Sequence, residues 1–192
     1  MTIYSIEKHM FKEESMTNRF IFVEDTYGIV FHRELINKLM NKHYLDTTYK
    51  PIIRRMHAKK CNPALSRKTR ALIYSFKHWR ALFIIDSEGR NLNEAVEDVA
   101  SHFSRYELKN IRVIVVRPRH ESWLCIGLGG SRNQCRSRPE EVIVRMLINR
   151  GLRIKYYEKS MLTRFAKQIN IDLLLSENDF REYIEGLRWL LV

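Results

Sequence analysis

Short apolar runs alternate along the chain with stretches in which apolar residues recur every three to four positions. The runs at residues 19–23, 81–85 and 111–116 are rich in β-branched and aromatic side chains and stop at polar residues, which predicts buried strands. A weaker strand is predicted at residues 52–56, directly after Pro51.

Helical periodicity occupies the segments between and after these strands, as where Phe31, Leu35 and Leu39 give one apolar face. The predicted helices cover residues 28–42, 66–76, 92–103, 137–150, 160–169 and 176–191, and residues 127–130 are predicted to form a flexible loop. This alternation predicts an α/β fold with a mainly parallel central sheet, helices on both faces and extra C-terminal helices. Residues 19–192 are expected to form a single domain, preceded by an N-terminal extension of residues 1–18.

Acidic residues follow three of the predicted strands. Glu24 ends the first, Asp86 and Glu88 follow the run at 81–85, and Glu121 comes shortly after the run at 111–116. Because carboxyl ends of parallel strands meet at one edge of a sheet, these carboxylates are expected to lie together. Their mutual repulsion favours a hard cation such as Mg²⁺. The alternative is that they cap helices or pair with arginines.

The net charge of +12 is concentrated in one segment. Residues 47–85 contain ten Lys or Arg and no Asp or Glu, which is typical of a surface that binds a polyanion. A solvated basic face is the alternative. The residues predicted to hold the nucleic-acid backbone are Lys59, Lys60, Arg67, Lys68 and Arg70. Four aromatic residues lie within or beside this segment and are candidates for stacking on bases: Tyr44, Tyr49, Tyr74 and Trp79. The alternative, more common for aromatic side chains, is that they pack in the core.

Several protein classes are disfavoured by the sequence. No apolar stretch approaches the roughly 18 residues of a membrane span, and charges interrupt residues 1–15, where a secretory signal would need an apolar core. A cytoplasmic protein without a membrane partner is therefore predicted. Cys61, Cys125 and Cys135 form no Cys-x-x-Cys pair, which argues against a zinc ribbon and predicts three reduced thiols.

Two short motifs resemble a known family. Val23-Glu24 followed by a helix, and Ile84-Ile85-Asp86-Ser87-Glu88-Gly89, are similar to the two signatures of the Toprim domain. That domain is shared by topoisomerases, bacterial-type primases, overcoming-lysogenisation-defect nucleases and small stand-alone proteins. The resemblance implies that Glu24, Asp86 and Glu88 are catalytic and hold magnesium or manganese beside a phosphodiester, with Glu88 at the position of the family's second aspartate.

A third segment, residues 115–124, resembles the small stand-alone Toprim-like proteins. The resemblance implies that Glu121 is a further metal ligand, while Arg119 occupies a position where that subgroup often has another acid. Trp123 is expected to be a core anchor.

The combined observations predict divalent-metal-dependent phosphodiester chemistry on DNA or RNA, in a nuclease-like Toprim protein. The alternative is a non-catalytic protein that keeps the fold and binds nucleic acid or another partner. A third hypothesis is a nuclease built on an acid followed by Glu-x-Lys, for which Asp98, Glu107 and Lys109 are the candidates. Topoisomerase and primase activities are disfavoured, because the chain has no room for a strand-passage module and no cysteine set for a zinc domain. The sequence leaves the oligomeric state open.

Overall fold

The computed structural model describes residues 18–47, 49–56 and 63–192. In this part of the chain four strands form one all-parallel sheet in the order β2-β1-β3-β4. The strands are β1 (Asn18–Val23), β2 (Ile52–Arg55), β3 (Trp79–Asp86) and β4 (Ile111–Val116). The α-helices are α1 (Thr26–Asn41), α2 (Pro63–Tyr74), α3 (Leu92–Ala100), α4 (His120–Gly127), α5 (Arg132–Ser137), α6 (Pro139–Asn149), α7 (Ser160–Phe165) and α8 (Asn178–Leu191). Short 3-10 turns cover Leu108–Asn110, Ala166–Gln168 and Ile171–Leu173.

Both faces of the sheet are covered by apolar layers, as predicted for an α/β fold. Alternate residues of a strand point to opposite faces, so Ile21 and Phe20 belong to different layers. The layer containing Ile21 packs against α1, α4 and the C-terminal helices, including α8. The layer containing Phe20 packs against α2 and α3. The predicted fold class is confirmed.

The chain after β4 differs from the prediction. Residues 120–127 form α4 where no helix was expected, and every residue of this helix is buried. A helix buried on all sides has no polar face, so its sequence carries no amphipathic period. The predicted helix at 160–169 is also shorter than expected, since α7 ends at Phe165 and a 3-10 turn follows.

The prediction of three reduced cysteines is wrong for two of them. Cys125 at the end of α4 and Cys135 in α5 form a disulfide, and both residues are fully buried. Gly130 lies between them, where an added Cβ would come within 2.5 Å of Cys135 Sγ and 2.9 Å of the Cys125 carbonyl oxygen. The glycine therefore permits the close approach of the two cysteines. Cys61 lies outside the described residues.

Among the described residues, none of the helices combines the length and the apolar character that a membrane crossing requires. Of the predicted N-terminal extension, residues 1–17 lie outside the described part of the chain, and Asn18 begins β1.

Candidate functional site

Glu24 and Asp86 meet at the carboxyl edge of the sheet, because β1 and β3 are parallel neighbours in register. Glu24 Oε2 accepts a hydrogen bond of 2.8 Å from the backbone N–H of Asp86. This contact confirms that the two strand ends share one edge. Burial raises the pKa of Glu24, and the negative charges of Asp86 and Glu88 raise it further, against the opposing effect of the Asp86 N–H.

Glu88 occupies the turn that follows β3. Its backbone has a φ of 50°, in the left-handed region that a residue with a Cβ seldom adopts, and its N–H donates to the Pro118 carbonyl at 3.1 Å. The side chain is exposed and lines the same cavity as Asp86. A strained backbone of this kind, held at the edge where the acids gather, is a common feature of functional sites.

Glu121 reaches this edge from the first turn of α4. Its Oε1 accepts a hydrogen bond of 3.2 Å from the Tyr157 hydroxyl, but its buried Oε2 finds no hydrogen-bond donor among the described residues. Burial raises the pKa of Glu121, and the charge of Asp86 raises it further. Burial and the neighbouring Glu121 also raise the pKa of Tyr157, which therefore stays a hydroxyl donor.

Lys159 brings a positive charge to these acids from the segment before α7. Its Nζ lies 3.0 Å from Asp25 Oδ2, while Asp25 Oδ1 caps α1 by accepting from the Gly28 N–H at 2.7 Å. Burial opposes the charge of Lys159, but its hydrogen bond to Asp25 and the charge of Glu121 outweigh this and raise its pKa. The ammonium group is therefore held beside the carboxylates.

A chain of buried side chains runs behind Asp86. His120 Nδ1 lies 2.5 Å from Asp86 Oδ1, and the same oxygen accepts from the His120 backbone N–H at 2.9 Å. His120 Nε2 lies 2.8 Å from His32 Nε2, and His32 Nδ1 lies 3.2 Å from the Tyr183 hydroxyl. Burial disfavours charge on His120, but Asp86 outweighs this and raises its pKa; burial lowers the pKa of His32.

A cavity of about 710 Å³ opens over this edge of the sheet. Its wall carries charges of both signs, namely Asp86, Glu88 and Glu121, and Arg119, Arg136 and Lys159. Asp86 and Glu121 are recessed, with only 6% and 2% of their surfaces exposed. A ligand must therefore enter the cavity to reach these two carboxylates.

The donor set suits a hard cation, since Glu24, Asp86, Glu88 and Glu121 offer only oxygen ligands. The unpartnered Oε2 of Glu121 is a buried acceptor of the kind that a cation satisfies. Among the described residues, however, no three His, Cys, Asp or Glu side chains are close enough to hold a metal ion as they stand. Binding would thus require the other carboxylates to turn toward Asp86, which His120 holds in place.

The residues predicted to bind nucleic acid are only partly described. Lys59 and Lys60 lie outside the described residues, while Arg67 and Lys68 are exposed on α2. Arg70 contacts Tyr74 at 3.0 Å and Glu107 at 3.8 Å. Because Glu107 precedes β4, Arg70 lies toward the amino edge of the sheet, away from the acids.

The four aromatic residues that were candidates for base stacking divide between the core and the surface. Trp79 is buried, and Tyr44 and Tyr49 pack partly against the core, whereas Tyr74 is half exposed beneath the Arg70 guanidinium. Trp123 is buried as expected, and its Nε1 donates to Asp179 Oδ2 at 3.2 Å.

The acids of the third hypothesis have separate partners. Asp98 accepts from Arg90 Nη1 at 2.6 Å, and Glu107 Oε2 accepts from the Ser104 N–H at 2.6 Å. Lys109 lies in the 3-10 turn before β4, and not within the strand itself.

Sequence reasoning missed five side chains of this site: His32, His120, Tyr157, Lys159 and Tyr183. The burial of His32 could have been predicted, because this residue falls within the apolar stripe of α1 that contains Phe31, Leu35 and Ile36. Tyr157 and Lys159 lie outside a regular helix or strand, so no periodicity could have placed them at the acids.

No protein-family model, curated protein or solved structure matches the chain. A functional interpretation therefore rests on the geometry of this site.

Proposed function

We propose that this chain is a nuclease-like protein of the Toprim type, in which a divalent cation supports cleavage of nucleic-acid phosphodiesters. The supporting observation is that Asp86, Glu88 and Glu121 line one cavity with Lys159, Arg119 and Arg136, while Glu24 contacts the Asp86 backbone at the same edge of the sheet. An anionic substrate enters a cavity of acids only when a cation and fixed positive groups offset the repulsion. A phosphodiester is an anion that both kinds of group bind.

Glu24, Asp86, Glu88 and Glu121 are the residues that would hold Mg²⁺ or Mn²⁺. When bound, the cation supplies a Lewis acid for the phosphate oxygens and lowers the pKa of a bound water. Asp86 is the best oriented of the four, because two hydrogen bonds from His120 fix its Oδ1.

The other side chains of the cavity handle protons and charge. Glu24, whose pKa is raised by burial, takes up a proton more readily than an ordinary carboxylate does. Lys159 Nζ stays protonated and is near enough to the acids to contact a phosphate oxygen in the cavity. Arg119 and Arg136 also line the cavity, where they pair with Glu140 and Glu177, so a phosphate would share these guanidinium groups with the two carboxylates.

The basic surface that would hold the rest of the nucleic acid adjoins the site. In support of this, Arg55 at the end of β2 donates from Nε to the Glu24 backbone carbonyl at 3.4 Å, so one arginine of the basic segment contacts the residue that carries the first acid. Helix α2 follows β2, and Arg67 and Lys68 are exposed near its middle. These contacts would grip the backbone without reading bases.

A non-catalytic nucleic-acid-binding protein is the second candidate. The observation that favours it is that Lys159 pairs with Asp25 and His120 pairs with Asp86, so the protein itself offsets part of the acidic charge. In that case the acids would be structural, and binding would need no metal.

Cleavage assays on single-stranded and duplex DNA and RNA, with Mg²⁺, Mn²⁺ or EDTA, separate the two candidates. We expect cleavage only with a metal, a loss of roughly 100-fold or more in Asp86→Ala and Glu24→Gln, and retained nucleic-acid binding in both. Asp172→Asn is the matched control, because Asp172 pairs with Lys42 on the exposed surface. Absence of cleavage of every substrate, together with unchanged binding by Asp86→Ala, would establish the non-catalytic function.

A further inference from the structure

The hydrogen-bond chain behind Asp86 joins side chains from three helices that are distant in sequence. His32 comes from α1, His120 from α4 and Tyr183 from α8. The donor-acceptor distances are 2.5 Å for Asp86 to His120, 2.8 Å for His120 to His32, and 3.2 Å for His32 to Tyr183. Each imidazole thereby uses both of its ring nitrogens.

The chemistry of these groups gives the chain a direction. An ionised carboxylate only accepts, so His120 Nδ1 must donate to Asp86. When His120 is neutral, its Nε2 accepts from the N–H at His32 Nε2, which leaves His32 Nδ1 to accept from the Tyr183 hydroxyl. Each partner thus fixes the tautomer of the next, and the last donor points at Asp86.

The surroundings prevent water from replacing these partners. His32 and Tyr183 are fully buried, and the His120 ring has Phe31 and Trp123 as aromatic neighbours, with centroids 6.0 and 5.9 Å away. A buried polar group that loses its partner finds no substitute, and the ring then loses its preferred orientation. The orientation of His120 therefore depends on His32 and Tyr183.

We propose that His32 and Tyr183 are positioning residues, which hold the His120 imidazole and through it the Asp86 carboxylate in the orientation that a bound divalent cation needs. This inference rests on the proposed metal-dependent function. With Oδ1 held by His120, the second oxygen of Asp86 is the one left to face the cavity. Partners of this type, one step behind a metal ligand, typically change metal affinity or activity by 10- to 100-fold.

Two substitutions test the hydrogen-bond chain at different residues. Tyr183→Phe removes only a hydroxyl, and His32→Leu removes both ring nitrogens. We expect Mn²⁺ affinity, measured by electron paramagnetic resonance, to fall about 10-fold in Tyr183→Phe and about 10- to 100-fold in His32→Leu. His32→Gln keeps an N–H donor for His120 and is expected to stay within about 3-fold of the parent, a rescue that a merely structural role would not give.

Val99→Ala is the control for general loss of packing, because Val99 on α3 is fully buried in the apolar layer on the other face of the sheet, away from the hydrogen-bond chain. It should lower the melting temperature and leave Mn²⁺ affinity unchanged. A second readout needs no metal: the ¹⁵N resonances of the His120 ring should show Nδ1 protonated in every variant, because Asp86 still accepts from it. The Nε2 resonance should shift in His32→Leu, where Nε2 loses its donor, and should return toward the parent value in His32→Gln.

The outcomes separate this inference from the proposed function. If the parent protein binds no Mn²⁺, the proposed function fails. If the parent binds Mn²⁺ and folded Tyr183→Phe and His32→Leu bind it equally well, with unchanged ¹⁵N resonances, the positioning role is overturned. Should His32→Leu fail to fold, Tyr183→Phe and His32→Gln decide the question alone.

Discussion

Replacing Glu121 by Gln should stabilise the protein in the absence of metal. Only 2% of the surface of Glu121 is exposed, and its Oε2 finds no hydrogen-bond donor among the described residues. The negative charge of Asp86 also repels the Glu121 carboxylate. Glutamine keeps an oxygen that accepts from Tyr157, and it removes the charge. The stability of metal-free Glu121→Gln should therefore exceed that of the parent.

The expected size follows from two opposing contributions. A buried acceptor without a partner costs about 1–3 kcal/mol. Against this, a negative charge in the first turn of α4 is favoured by the helix dipole by about 0.3–1 kcal/mol, which the variant loses. The net gain is about 1–2 kcal/mol, or roughly 3–6 °C in melting temperature for a protein of this size.

The gain should depend on pH in a defined direction. Because the pKa of Glu121 in the folded protein is raised above its ordinary value of 4.5, the folded state holds more protons than the unfolded state between those two values. The stability of the parent therefore falls as the pH rises through the raised pKa, and the variant lacks this contribution. The difference should be largest at alkaline pH and vanish below the ordinary pKa.

Thermal melts in EDTA and in Mn²⁺ measure this effect. At a metal concentration of about 100 times Kd, the parent gains roughly 2.7 kcal/mol, and the variant gains less because it lacks one ligand charge. The order of stability should then reverse. Glu140→Gln is the matched control, since Glu140 lines the same cavity but is only half-buried and pairs with Arg119. A metal-free Glu121→Gln that melts below the parent at alkaline pH would refute this reasoning.

Three further outcomes are expected. Arg67→Ala with Lys68→Ala should flatten the slope of log binding constant against log salt by roughly 1.4–1.8 in anisotropy titrations. Arg70→Ala, which contacts Glu107, should flatten it by less than the roughly 0.7–0.9 of one phosphate contact, and a full single-contact effect would contradict this. Single-stranded ends should be cleaved faster than blunt duplex in gel assays, because Asp86 and Glu121 are recessed; equal rates would contradict this. Reduction of the Cys125–Cys135 disulfide, which spans 10 residues, should lower stability by about 2–3 kcal/mol in melts with and without dithiothreitol; the double Cys→Ser variant should show no such shift, and an unchanged parent would contradict the expectation.

The strands and their acids were predictable because their signals are local. The run at 81–85 is apolar throughout and stops at Asp86, which is the pattern of an inner parallel strand. The parallel arrangement then brings Glu24 to the same edge without any knowledge of side-chain contacts. Helix α4 was missed for the opposite reason, since complete burial removes the polar face that reveals a helix.

The groups that surround the acids were not predictable by the same means. Lys159 and Tyr183 reach the site because α7, α8 and the segments before them fold back onto α1 and β4. Such packing depends on the sum of many apolar contacts, which leave no motif at the polar residue itself. The disulfide was missed because Cys-x-x-Cys spacing was the criterion, whereas Cys125 and Cys135 are brought together by the turn at Gly130.

Lys159 and His120 provide partners for carboxylates of the site in the absence of a metal ion. In the metal-free protein each pairs with a carboxylate, Lys159 with Asp25 and His120 with Asp86, so the cluster is stable enough to fold. In the proposed reaction a cation must compete with the Lys159 ammonium and with the His120 N–H donors, which weakens its binding to the protein alone. A phosphodiester in the cavity offers Lys159 a second anionic partner and offers the cation additional oxygen ligands. Metal and substrate should therefore each increase the affinity of the site for the other, since such coupling is reciprocal.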